Sequence, residues 1–125
     1  MLEGEAASFA SDLWALGVML YQFATGTRPF TAGTEYLTFQ RITAVEYSLP
    51  EGFPPVLGSL VRALLVRTPS NRLGADNLLD LRAHRYFEGV DWAAVEDMPP
   101  PDVSPYLLTS RDGPDALDSL APLSE

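Results

Sequence analysis

The 125-residue sequence contains no lysine and no cysteine, its only histidine is His84, and all eight basic residues are arginine. Schiff-base and thiol catalysis, disulfide frameworks, zinc fingers and the lysine-containing Walker loop are therefore excluded by inventory alone. No two of the nine glycines are separated by a single residue, so the chain has no Gly-x-Gly phosphate turn. Positive charge is scarce: 17 acids against eight arginines give a net charge of −9, which argues against nucleic-acid and anionic-membrane binding. Absence of cysteine fits a cytoplasmic location. A long hydrophobic run is missing as well. The longest early uncharged stretch, Leu13 to Thr27, is 15 residues, short for a bilayer span and suited to a buried helix. The acidic start, Met1-Leu2-Glu3-Gly4-Glu5, is unlike a signal peptide.

What is present divides unevenly. Residues 1–90 carry nine acids and seven arginines, whereas residues 91–125 carry eight acids and only Arg111, and six of the eleven prolines follow residue 98. This predicts a globular body over residues 1–98 and an acidic, Pro-rich, mostly disordered tail over 99–125. Within the body, Ser11 and Asp12 read as the start of a helix that runs to Thr25 and stops at Gly26. Its residues Leu13, Trp14, Leu16, Val18, Met19, Leu20, Tyr21 and Phe23 are apolar on every face, a pattern that needs neighbours all round. A second helix starts at Thr34, with Glu35 in its first turn and Phe39 and Ile42 on one face, and fades near Val45. Pro55 suits the first position of a third helix, where Val56, Leu57, Leu60, Val61, Leu64 and Leu65 form one wide stripe. Short helical pieces are expected over 77–81, 81–87 and 91–97, and Pro99-Pro100-Pro101 should end regular structure. No alternating strand pattern occurs, so the expected fold class is all-α.

Few residues are candidates for chemistry. An acid at a helix start such as Asp12 is usually a dipole partner. His84-Arg85 resembles the opening of a kinase catalytic loop until Tyr86 replaces the base, and no second imidazole exists to share a metal. Asp112, Asp115 and Asp118 do not match a calcium loop and are interrupted by Pro114. Ser104-Pro105 could accept phosphate, but such dipeptides are common in unstructured tails. Arg72, read alone, is an exposed loop charge.

Together, however, these residues resemble the C-terminal lobe of the eukaryotic protein kinases. Ser11-Asp12-Leu13-Trp14-Ala15-Leu16-Gly17 looks like the start of the lobe's central helix, Gly26-Thr27-Arg28-Pro29-Phe30 like the turn that ends it, and Arg72-Leu73-Gly74 like the last signature arginine. The segments 35–42 and 46–50, Tyr86-Phe87-Glu88-Gly89-Val90-Asp91-Trp92 and Pro105-Tyr106-Leu107 are similar to the phosphoinositide-dependent branch of the AGC serine/threonine kinases. The resemblance covers about residues 1–108. His84-Arg85-Tyr86-Phe87 departs from it, with Arg85 where many members carry proline.

The resemblance implies transfer of the γ-phosphoryl group of Mg-ATP to Ser or Thr of protein substrates, through a Gly-rich loop, a strand lysine and the His-Arg-Asp and Asp-Phe-Gly elements. None of these is in the chain, so no catalytic, ATP-binding or metal residue is expected in it. By the same resemblance Asp12 would brace the catalytic loop, with Trp14 and Gly17 as structural landmarks of the central helix. Arg72 would pair with the glutamate of an Ala-Pro-Glu segment that, counted back from Asp12, falls immediately before Met1. Loss of one half of a buried ion pair costs about 3–5 kcal/mol. If three or four of the large side chains of the first helix stay wet, a further loss of about 5–12 kcal/mol follows, so the chain is expected to self-associate or to need the missing kinase half. Three readings stand: a serine/threonine kinase fragment; a noncatalytic interaction module that docks a protein partner around Glu35, Tyr36, Gln40 and Arg41; and an unrelated helical domain with an acidic tail.

Overall fold

The computed structural model describes residues 4–106. Residues 4–8 are described by their backbone alone, and the acids at 112, 115 and 118 lie outside the described residues. The described residues contain four α-helices and no strand: α1 (Gly4–Thr25), α2 (Glu35–Ala44), α3 (Pro55–Leu64) and α4 (Leu78–Arg82). Single 3-10 turns occur at Pro69–Asn71, Arg85–Phe87, Val95–Asp97 and Ser104–Tyr106. The described residues fall into two compact units, one up to Gly89 and one from Val90 onward.

The first unit is organised by α1 against α3. Helix α1 is already formed at Gly4, the first described residue and seven positions before Ser11, so Ser11 is an interior residue and Asp12 is not at a helix end. Ala6 and Ala7 favour the extension, since alanine has the highest helix propensity. The helix stops where predicted, because Gly26 takes a φ of +79°, which a residue with a Cβ rarely adopts. One stripe of α1 is buried, Ala10, Leu13, Gly17 and Tyr21, while Trp14, Leu16, Val18 and Leu20 are partly buried against the core. Phe23 is 77% exposed and Met19 46%. Of the eight apolar residues named above on this helix, only Met19 and Phe23 are thus wet, rather than three or four. At about 1.5–3 kcal/mol each, the unrealised burial is about 3–6 kcal/mol.

Helix α3 follows its sequence pattern closely. Pro55 occupies its first turn, where no backbone donor is required. Leu57, Leu60, Val61 and Leu64 are buried, with Leu65 just beyond the last turn. Leu60, Val61 and Leu64 are the largest fully buried side chains. Gly17 lets the two helices approach closely, since a Cβ there would stand 2.9 Å from Leu65 Cδ2 and 3.0 Å from Leu64 Cβ. A ring cluster closes one end of this core. The turn after α1 brings Phe30 onto Trp14, stacked at 5.5 Å with planes 10° apart. Tyr47 meets the edges of Phe30 and Tyr21, and Phe53 lies 5.7 Å from Tyr21. Tyr21 Oη donates to the carbonyl of Ser48 at 2.9 Å. Burial raises the Tyr47 phenol above its ordinary pKa of 10.0, partly offset by Arg62 and aided by Tyr21.

Helix α2 is of a different kind. Thr34 caps it by accepting from Leu37 N at 3.1 Å, as Thr34 followed by Glu35 suggested. Phe39 and Ile42 do share a face, but both are exposed, and no residue of α2 is buried. Its C-cap is Val45 at φ 55°, ψ 50°, the one described non-glycine residue with positive φ. A β-branched side chain is strained in that region.

In the second unit, residues 90–106 are mostly irregular. Asp91 Oδ1 accepts from Ala93 N at 3.1 Å. After the three prolines the expected end of regular structure is followed by one more turn, Ser104–Tyr106. Asp102 sets it up by accepting from both the amide and the hydroxyl of Ser104, which lowers the pKa of its carboxyl.

Candidate functional site

Arg72 is the pivot of the first unit. Its Nη1 donates to the carbonyl of Ala10 at 2.7 Å and its Nε to that of Val66 at 3.0 Å, tying α1 to the segment after α3. Its Cζ lies 4.8 Å from the ring centroid of Trp14, within cation–π range. Partial burial lowers the guanidinium from its ordinary pKa. Read from sequence alone, Arg72 is an exposed loop charge; it is in fact half-buried and bonded across 62 residues of sequence. Two carbonyls and an indole face surround it instead of a carboxylate, so the cost expected for an orphaned buried charge does not apply in full.

The structure brings Trp14 and Arg72 together, sets Gly17 against Leu64 and Leu65, and leaves Asp12 exposed on α1. The α2 residues named above are also placed. Gln40 Nε2 donates to Tyr36 Oη at 3.0 Å, one helical turn apart. Arg41 Nη1 donates to the carbonyl of Thr31 at 2.7 Å, so it anchors the loop before α2. Glu35 sits exposed in the first turn. His84 has a structural role: Nδ1 accepts from Tyr86 N at 3.0 Å, which puts the proton of a neutral ring on Nε2, 3.2 Å from Ser59 Oγ.

Sequence reasoning missed Arg67. It stands between two shallow cavities. One, about 430 Å³, is lined by Ser11, Trp14, Ile42, Thr43, Val45, Arg67 and Arg72. The other, about 510 Å³, is lined by Tyr36, Phe39, Gln40, Thr43, Ala44, Glu46 and Arg67. Thr43 and Arg67 belong to both. The only hint in the sequence was an arginine directly after the apolar stripe of α3. No group of three or more His, Cys, Asp or Glu residues that could hold a metal occurs among the described residues, and none of the described helices is long and apolar enough to cross a membrane.

Two apolar helices thus cross at a glycine and are tied together by an arginine bonded back to the first of them. The protein kinase domain family matches residues 1–87, and the chain belongs to that family. It is 43% identical over 110 residues to human 3-phosphoinositide-dependent protein kinase 1, covering 86% of this chain and 20% of the relative. The Arabidopsis thaliana protein of the same name is 37% identical over 121 residues, covering 95% and 25%. Serine/threonine-protein kinase PKH1 of Saccharomyces cerevisiae is 39% identical over 102 residues, covering 80% and 13%. The chain thus spans a quarter or less of the length of these three relatives.

Proposed function

We propose that this chain is the C-lobe portion of an ATP-dependent serine/threonine kinase of the phosphoinositide-dependent, AGC type, acting in cytoplasmic signalling, and that alone it transfers no phosphate. The carrying observation is the Arg72 lock between α1 and the segment after α3, in a chain 37–43% identical to kinases of that name. Mg-ATP would supply the γ-phosphoryl group in the parent, but the residues of this chain do not fit it. There is no lysine to grip its phosphates and no Gly-x-Gly turn to cover them, and no His-Arg-Asp or Asp-Phe-Gly sequence occurs. What the chain contributes is a scaffold: Asp12 is free at the surface of α1 to brace a catalytic loop, and the exposed Met19 and Phe23 offer apolar area to the rest of the kinase domain. Without that cover, the same side chains favour self-association.

The test is a phosphotransfer assay with purified chain, radiolabelled Mg-ATP and a peptide substrate. No incorporation above the protein-free control is expected, and turnover that copurifies with the chain would overturn the inactive reading. Sequencing upstream of Met1 in the genome for the missing kinase elements checks the parent enzyme independently. One observation favours a second reading, a noncatalytic docking module: α2 buries none of its residues and exposes Tyr36, Leu37 and Phe39. Glu35, Tyr36, Gln40 and Arg41 would form the surface that a protein partner meets.

A further inference from the structure

Between the turn after α1 and the residues on and just after α2 lies a polar cavity of about 610 Å³, lined by Arg28, Thr31, Arg41, Glu46, Tyr47 and Ser48 among others. Its walls come from residues 21–48, one continuous stretch of chain, and neither Arg67 nor Arg72 is among them. Arg28 makes no hydrogen bond or ion pair among the described residues. Arg41 donates through Nη1 to the Thr31 carbonyl at 2.7 Å, which ties its guanidinium to the loop that carries Arg28 and leaves Nε and Nη2 without a described partner. Glu46 is the only acid in the lining and forms no described ion pair with either arginine, so the lining is net positive in a chain of net charge −9. Three hydroxyls are also unspent: Tyr47 Oη, Ser48 Oγ and Thr31 Oγ1 have no described hydrogen bond, while Tyr21 Oη is used on the Ser48 carbonyl. Burial raises the pKa of the Tyr47 phenol, which keeps it a neutral donor. Two guanidinium groups and three hydroxyls offer more donors than the two oxygens of a carboxylate can take, and they suit the three terminal oxygens and nearly double charge of a phosphate monoester. The volume is several times that of a phosphate group, so the phosphate arrives on a larger body.

We propose that this cavity binds a phosphorylated serine or threonine of a partner protein. The phosphate pairs with Arg28 and with the free donors of Arg41, and the hydroxyls of Thr31, Tyr47 and Ser48 donate to the oxygens that remain. Glu46 weakens the site by repelling the dianion, so it favours release. The chain here recognises a phosphate and transfers none, which separates the inference from the kinase reading. It shares Arg41 with the docking surface of α2 and otherwise stands apart from it.

Fluorescence anisotropy with the full chain and three labelled pools of short degenerate peptides tests this. The pools differ only in a fixed central residue, which is phosphoserine, serine or glutamate. The phosphoserine pool should bind about 10-fold or more tightly than the serine pool at low salt, and the difference should shrink at high salt. Arg28→Gln, which breaks no described bond, should erase most of the difference. Glu46→Gln should tighten the phosphoserine pool, and Arg85→Gln, outside the cavity, should change nothing. Circular dichroism of each variant verifies that the fold is kept. Equal affinity for the phosphoserine and serine pools refutes the phosphate site while leaving docking at α2 standing. Equal affinity for the phosphoserine and glutamate pools refutes it in favour of a general anion surface. Inorganic phosphate that displaces the phosphoserine pool at the pool's own affinity, or anionic lipid vesicles that bind in preference to it, overturns the protein partner. A preference that survives Arg28→Gln, or no saturable binding of the phosphoserine pool up to ~1 mM, overturns the proposal as a whole.

Discussion

The contact at Gly17 makes a quantitative demand. Gly17→Ala places a methyl group 2.9 Å from Leu65 Cδ2, 3.1 Å from Leu65 Cγ and 3.0 Å from Leu64 Cβ. The end of Leu65 can rotate away, but Leu64 Cβ is fixed to the α3 backbone, so the helices must separate by a few tenths of an ångström. Two effects then compete. Alanine gains about 1 kcal/mol over glycine in a helix interior, and overpacking of a buried contact costs about 1–3 kcal/mol. The expected net effect is a loss of about 0–2 kcal/mol. Gly17→Val, with two more methyl groups and less propensity gain, should lose about 3 kcal/mol. The background Leu65→Ala removes two of the three close atoms, so there Gly17→Ala should be milder by about 1 kcal/mol. Urea unfolding followed by far-UV circular dichroism on the four proteins of this cycle, with Gly17→Val measured alongside, supplies the numbers. If Gly17→Ala stabilises the parent chain by the full propensity gain, with no coupling to Leu65, the close approach of α1 and α3 is wrong.

Three other outcomes follow from the same geometry. Arg72→Met removes two charge-assisted bonds and a cation–π contact at a half-buried site, and should lower stability by about 2 kcal/mol, against about 0.5 kcal/mol or less for the exposed Arg67→Met; equal shifts in urea midpoint would refute the lock. For Tyr47, burial raises the folded pKa above 10.0; the unfolded chain releases its proton first, so this contribution is complete below pH 10 and is lost as pH rises through the folded value. Tyr47→Phe should therefore flatten the alkaline limb of stability against pH, and an unchanged limb would contradict the burial. The double variant Met19→Ser, Phe23→Ser should lower the weight-average mass in sedimentation equilibrium without changing the unfolding free energy by more than about 0.5 kcal/mol; an unchanged mass would move any self-association to another surface.

What the sequence made legible is what local chemistry decides. Pro55 and the stripe of α3, Thr34 before Glu35, and Gly26 at the end of α1 each act within one or two turns, and each stands where its neighbours predict. The kinase family was readable because Ser11-Asp12-Leu13-Trp14 and Arg72-Leu73-Gly74 keep their order and distance. The start of α1 was not legible, since Ser11 is as good a cap as many real ones and only the continuation of helix through Gly4–Ala10 decides against it. Periodicity placed Phe39 and Ile42 on one face, yet it contains no information on whether a neighbour covers that face. Arg72 was legible as a landmark through the resemblance, but its bonding partners and the setting of Arg67 were not, for a related reason: the bond from Arg72 to Ala10 spans 62 positions, and the cavities beside Arg67 exist only after α1, α2 and α3 are in place.

The absence of any buried residue on α2 has a consequence for motion. A ten-residue helix is marginal in water by itself, and α2 is held by the Thr34 cap, the Arg41 bond to Thr31 and the turn at Val45 rather than by core packing. Its amides should exchange with solvent through local opening, whereas those of Leu60, Val61 and Leu64 should wait for global unfolding. A ligand that seizes α2 can thus re-form or re-aim it while the α1/α3 core keeps time on a much slower clock.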